Sequence, residues 1–243
     1  MKRSSAEFAI PPLKASPLST IDHVYSELKG ALIAGEFSPG QPMRLKELAV
    51  AFGTSHMPIR ESLNRLSGIG VLERAPRRTT RVPRVTVEGL RALLEVRLLN
   101  EKQAVMWAAE RSAGRTLTHI RDINSRLDQL DLGRSSDIKK YMKLNQSFHF
   151  AVYGLSENQS LMQTIETLWL RAGPVLSIRK KGEAMVPGHL NHVEMIHHLE
   201  KGDGPAAAEA LQRDIVEAHD QIFALLREAH SKDRQAEAPV IPK

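Results

Sequence analysis

Residues Pro39–Val82 read PGQPMRLKELAVAFGTSHMPIRESLNRLSGIGVLERAPRRTTRV, and this stretch decides the fold. Leu45, Leu48, Ala49 and Phe52 recur at helical spacing and predict a helix over 45–52. Gly53 follows, suited to a tight turn with positive φ. Ser55 is a favourable N-cap for the next helix, and Pro58 is tolerated in its first turn. Ile59, Leu63 and Leu66 supply the inner face of that helix, leaving His56, Met57, Arg60 and Asn64 on the other. Val71-Leu72 then begins a strand, Pro76-Arg77-Arg78-Thr79 turns, and Thr80 to Val82 returns. Two short amphipathic helices joined by a glycine turn and followed by a basic hairpin outline a winged helix-turn-helix. Such a motif places its second helix in the DNA major groove.

The charge is distributed to match. Of the net +6, residues 1–20 carry +2 and residues 21–85, with ten basic and six acidic side chains, carry +4. Residues 86–243 hold 21 of each and are neutral. The segment Arg74–Arg84 has five arginines and no acid, as a surface facing phosphates requires. With 243 residues there is room for two domains. No apolar run is long enough to cross a membrane, no apolar leader opens the chain, and cysteine is absent. A cytoplasmic protein without disulfides, thiolate metal sites or a membrane partner is expected.

Outward from the motif, residues 1–19 are rich in proline and serine and read as a flexible arm. A first helix starts after Thr20 and runs to about Gly35, with Ile21, Val24, Tyr25, Leu28, Leu32 and Ile33 on one side. The DNA-binding domain therefore spans 20–85. From Val87 the pattern is helical, over about 87–113, 116–131, 137–155, 159–177, 188–201 and 204–230. Breaks fall at Gly114, Gly133, Ser156-Glu157-Asn158, 182–188 and Gly202-Asp203-Gly204. The expected fold is mainly α: an N-terminal winged helix-turn-helix and, over 86–230, an all-α antiparallel helical bundle. The tail 231–243, with two prolines, is expected to be disordered.

The bundle carries a candidate constellation. Asn145 and His149 are spaced i, i+4 on one helix, and His192 and Asp214 lie on two later ones. Antiparallel packing would gather all four in the core. Imidazole nitrogens with carboxylate or amide oxygens suit Zn²⁺, Ni²⁺ or Mn²⁺. The alternative is a pair of satisfied core histidines in a metal-free pocket. Arg97 interrupts a helix otherwise apolar toward the core at Leu90, Leu94, Leu98 and Val105. It either holds an effector carboxylate or pairs with Glu101. His189, His197, His198 and His219 read as surface or structural, and Trp107 and Trp169 as core or dimer contacts.

The chain resembles the GntR family of bacterial transcriptional regulators, in its FadR-type branch, over about residues 20–230. The matching residues are Gly35-Glu36-Phe37-Ser38-Pro39-Gly40, Leu48-Ala49, Ser55-His56-Met57-Pro58-Ile59-Arg60-Glu61-Ser62-Leu63, Arg65-Leu66 and Gly70-Val71-Leu72. The resemblance implies that Lys46, His56 and Arg60 contact DNA. With Ser55, Met57, Asn64, Arg77, Arg78 and Arg81 they make up the expected DNA-binding set. His56 stands where the family usually has arginine, which removes a bidentate reader of guanine. Thr79 stands where it has a wing glycine.

In the bundle, Glu95-Val96-Arg97 with Glu101, Phe148-His149 followed by Asn158, and His192 ahead of Asp203 resemble the family's effector domain. The resemblance implies that the bundle over 86–230 is the effector-binding and dimerisation domain. It also implies a divalent metal held by one carboxylate and three histidines beside a small organic acid; Arg97, His149 and His192 are the residues expected around that effector. Asn145 stands where the family usually has aspartate, and Asp214 where it often has the last histidine.

The resulting expectation is a ligand-responsive repressor that binds a near-palindromic double-stranded operator as a homodimer, since two-fold protein symmetry favours two-fold DNA. Its effector would be a carboxylate metabolite, and no organic cofactor is expected. Two other readings stay open. One is a metal-dependent enzyme with an attached DNA module, against which HEXXH, GXSXG and Walker patterns are absent. The other is a DNA-binding protein without an effector, its pocket degenerate. A hydrophobic acyl ligand is a further alternative.

Overall fold

Val24, Leu28, Leu32 and Ile33 wind onto one side of α1 (Thr20–Ile33), and all four are buried. In this computed structural model residues 20–75, 79–176, 178 and 189–236 are described. The expected arm 1–19, the wing-turn residues Pro76, Arg77 and Arg78, and the last seven residues of the tail lie outside them. The helix stops two residues short of Gly35, whose φ of 63° lies in the left-handed region.

Leu48, Ala49 and Phe52 form the buried side of α2 (Leu45–Phe52). Gly53 closes it with φ 60° and ψ 36°, its N–H donating to the carbonyls of Ala49 and Val50. No atom lies within 4 Å of a Cβ built at Gly53, so Gly53→Ala meets backbone strain alone. A loss of about 1–2 kcal/mol in denaturant unfolding is expected; no loss would mean that the turn relaxes freely. α3 (His56–Gly68) follows. Ser55 holds the N-cap position with extended backbone, but its hydroxyl makes no cap bond. The inner face of α3 holds Pro58, Ile59, Ser62, Leu63 and Leu66. Ser62 Oγ donates to the Pro58 carbonyl at 2.8 Å, and Arg65 pairs with Asp22 of α1 at 3.0 Å.

The wing is a two-stranded antiparallel sheet, β1 (Glu73–Ala75) and β2 (Thr79–Arg81), with Glu73 opposite Arg81 and Ala75 opposite Thr79. β1 begins two residues later than expected. Val71 and Leu72 instead tie their N–H groups to the Leu66 carbonyl at the end of α3 and are buried. Thr79 is a strand residue, not a turn residue. The Met43 N–H donates to Thr80 and the Val82 N–H to Gln41, which anchors the sheet on the segment before α2.

Two compact units divide the chain after Val85, the first also taking Trp169–Ser177. In the second unit the elements are α4 (Val87–Ser112), α5 (Thr118–Asp128), α6 (Ser135–Gly154), the first part of α7 (Gln159–Leu176), α8 (His189–Lys201) and α9 (Gly204–Ala236). Thr86 caps α4 through its hydroxyl, which accepts from the Gly89 N–H at 3.0 Å. The buried stripe of α4 is Leu90, Leu93, Arg97, Glu101, Ala104, Val105 and Ala108. Leu93 therefore takes the core position expected of Leu94, and two charged side chains lie inside the stripe. α4 packs on α6, α8 and α9, and α5 packs on α6 and α8. α9 continues through Ser231 to Ala236, where disorder was expected, because no helix breaker occurs before Pro239. Among the described residues no helix is long and apolar enough to cross a membrane.

Candidate functional site

Five helices of the second unit contribute to one buried polar cluster. α6 carries His149 and, one turn later on the same face, Tyr153; α8 carries His192 and α9 carries Asp214. His149 Nε2 lies 3.2 Å from Asp214 Oδ2, and His192 Nε2 lies 3.5 Å from Asp214 Oδ1. The far side of each ring is also held. His149 Nδ1 is 3.1 Å from the Tyr153 hydroxyl, which donates to Glu101 Oε2 at 2.5 Å. His192 Nδ1 is 3.0 Å from Asn124 Oδ1 of α5. Phe148 stacks on the His192 ring at 3.9 Å between centroids. Arg97 donates to Glu101 from Nε at 2.7 Å and from Nη2 at 3.3 Å.

The sequence-derived candidates are thus divided. His149, His192 and Asp214 are brought together, with ligand atoms within 4.8 Å of one another. Asn145 is half-buried one turn ahead of His149. Arg97 is buried and forms the ion pair with Glu101, the second of its two expected roles. His219 is a buried structural histidine, with Nδ1 2.8 Å from the Ile215 carbonyl. His197 is exposed, and His198 lies 3.7 Å from Asp203. Trp169 is buried and Trp107 half-buried. Tyr153 and Asn124 were not picked out from sequence. Their signals were present: a tyrosine at i+4 from a candidate ligand, and an asparagine on the apolar stripe Ile120, Ile123 and Leu127 of α5.

Electrostatics bind the cluster. Burial works against charge on Asp214, yet His192 and His149 outweigh it and hold the carboxyl well below the usual carboxylate range. Burial, with the Glu101 carboxylate beside it, pushes the Tyr153 phenol well above its ordinary value, so it stays a donor. Burial also opposes charge on Arg97, but Glu101 overcomes this and raises it.

Two ligands about 2.0–2.2 Å from one ion at a tetrahedral angle stand roughly 3.3–3.6 Å apart. The histidine separations from Asp214, 3.2 Å to one oxygen and 3.5 Å to the other, fall near that spacing, and the three ligand atoms lie within 4.8 Å of one another. Two imidazoles and one carboxylate form a donor set that zinc, nickel and manganese all accept, with positions left for other ligands. The residues fit a divalent metal.

In the first unit, α3 presents His56, Met57, Arg60 and Asn64 to solvent, and α2 presents Lys46. Met57 is 67% exposed on the same face as Arg60 and Asn64. Arg74 Nη2 reaches Asn64 Oδ1 at 3.4 Å, which links the wing base to α3. Arg81 is turned to Glu73, with Nε and Oε1 2.5 Å apart.

The helix-turn-helix unit and the helical unit with its histidine–aspartate cluster each match a family model. Residues 20–82 match bacterial regulatory proteins of the gntR family, and residues 92–217 match the FCD domain. The chain belongs to the GntR family of FCD-domain transcriptional regulators. It is 29% identical over 220 residues to the HTH-type transcriptional regulator McbR of Escherichia coli (strain K12), covering 90% of this chain and 98% of that one. It is 24% identical over 182 residues to a probable D-xylose utilization operon transcriptional repressor of Paenarthrobacter nicotinovorans, covering 74% and 79%. The solved structure of E. coli McbR/YncC superposes with a TM-score of 0.75 at 28% identity, covering 88% of this chain and 99% of that one. GntR regulators bind DNA and are not enzymes, so this chain is a DNA-binding transcriptional regulator.

Proposed function

We propose that this regulator, of the FadR-type branch, binds a near-palindromic operator as a homodimer and acts as a repressor. A small organic acid bound in the helical domain controls it, beside a divalent metal held by His149, His192 and Asp214. The observation that carries this reading is the buried two-histidine, one-carboxylate set in a chain whose other unit is a winged helix-turn-helix. Arg97 is matched by Glu101, so the counter-charge for an effector carboxylate comes from the metal. The effector shifts the population between arrangements that do and do not fit the half-site spacing.

Thermal unfolding of chelator-stripped protein against metals and organic acids tests the reading, because a ligand of the native state raises stability by mass action. Zinc, nickel or manganese should stabilise, and an organic acid should add to that and weaken operator binding. Stabilisation by neither class would overturn it.

On the DNA side, His56, Met57, Arg60 and Asn64 read bases, and Lys46, Ser55, Arg77, Arg78 and Arg81 supply phosphate contacts, Arg81 by leaving Glu73. Arg60→Ala should lower affinity for a selected operator by about 1–3 kcal/mol and relax one base position. Unchanged operator binding would show that α3 does not enter the groove in this orientation.

A further inference from the structure

The polar partners behind the two histidines carry more than packing. We infer that Tyr153 and Asn124 are positioning residues that keep a proton on Nδ1 of His149 and of His192. Both Nε2 atoms then face Asp214 as metal ligands. This rests on the proposal that His149, His192 and Asp214 hold a divalent ion.

The argument follows the protons. Glu101 accepts from Arg97 Nε and Nη2, so both of its oxygens already serve as acceptors. The single phenolic proton of Tyr153 therefore goes to Glu101, 2.5 Å away. The phenol oxygen, 3.1 Å from His149 Nδ1, is left as an acceptor, so Nδ1 carries the hydrogen. On the other ring, Asn124 Oδ1 accepts from Nδ1 of His192 at 3.0 Å. A ring protonated at Nδ1 offers Nε2 to its other side. Here both Nε2 atoms look at the two oxygens of one carboxylate, at 3.2 and 3.5 Å.

A bare nitrogen lone pair and a carboxylate oxygen repel each other in a buried site. The triangle closes when positive charge lies inside it, as a divalent ion there would supply. Hydrogen bonds to the far nitrogen fix the tautomer and ring direction of metal-bound histidines, and their loss weakens metal binding by roughly 10–100-fold. Asn124 and Tyr153 come from different helices, α5 and α6, so the two rings are set independently. Phe148, stacked flat on His192, limits how that ring can tilt.

The test uses the full-length, chelator-stripped protein titrated with cobalt(II) and followed by visible absorption, which reads both affinity and ligand geometry. Tyr153→Phe and Asn124→Leu should each weaken cobalt binding by roughly 10–100-fold and alter the absorption envelope. Asn124→Asp, which keeps an acceptor, should restore affinity. In the zinc-loaded wild type, ring-nitrogen NMR should show both histidines protonated at Nδ1 and zinc-shifted at Nε2. Should Tyr153→Phe not fold, Asn124→Leu and the wild-type ring spectrum decide. Cobalt bound by the wild type and equally by the variants overturns the positioning role alone, as does protonation at Nε2. No cobalt in the wild type overturns the metal reading and this inference with it.

Discussion

Arg97→Met alone is expected to cost about 3–5 kcal/mol of folding stability, and adding Glu101→Leu should regain most of that loss. Glu101 is fully buried and Arg97 nearly so. Removing the guanidinium strands a carboxylate that water cannot reach, whereas replacing both partners leaves an apolar stripe continuous with Leu90, Leu93, Ala104 and Val105. Methionine keeps the aliphatic stem of arginine, so lost packing contributes little. The recovery is incomplete for a named reason. Tyr153 donates to Glu101, and with leucine there its hydroxyl needs another acceptor, at about 1–3 kcal/mol if none is found. The Tyr153 oxygen also takes the hydrogen of His149 Nδ1, so the double variant should disturb that ring too. Urea unfolding at unchanged slope reads these differences. A single-variant loss below about 1 kcal/mol would put the pair in the class of solvated surface bridges, contrary to its burial.

The parts of the fold legible in the sequence are those fixed by short-range pattern. Leu48, Phe52, Gly53, Ile59 and Leu63 sit close enough that helical period and one left-handed glycine determine the helix-turn-helix without reference to distant residues. The wing strands were displaced because their limits depend on Leu66, Gln41 and Met43, partners outside the hairpin. Arg97 shows a different limit. From sequence, an arginine at i, i+4 to Glu101 on an apolar face serves an effector or an ion pair equally well. Only the way α4 lies on its neighbours buries both. The helix α9 runs to Ala236, past Ser231 where the polar tail was expected to begin, because no proline or glycine interrupts it there.

The candidate site divides along the same line. His149, His192 and Asp214 were legible because two imidazoles and a carboxylate on inner helix faces make a recognisable donor set. Asn124 was not. Its link to His192 spans 68 residues of sequence and follows from the contact of α5 with α8, which no local pattern encodes.

The second large effect falls on Asp214. Asp214→Asn keeps the shape and removes the only anionic ligand of the three, leaving an amide oxygen, which is a poor donor to a divalent ion. The loss in metal affinity should exceed the roughly 100-fold upper figure for removing an outer partner. Mass action turns this into a thermal readout. At a free zinc concentration one hundred times the wild-type Kd, the wild type gains about 2.7 kcal/mol, and a variant weakened 100-fold gains about 0.4 kcal/mol. Asn145 supplies the control, because it lies one turn ahead of His149 on the same helix. If Asn145 borders the same ion, Asn145→Asp should tighten zinc binding in the wild type and rescue Asp214→Asn, because the site regains a carboxylate from α6 in place of the one lost from α9. Wild-type zinc stabilisation in Asp214→Asn would show that the ion is held elsewhere. Loss without rescue would keep Asp214 as a ligand and place Asn145 outside the coordination shell, leaving the aspartate on α9 as the site's anionic ligand.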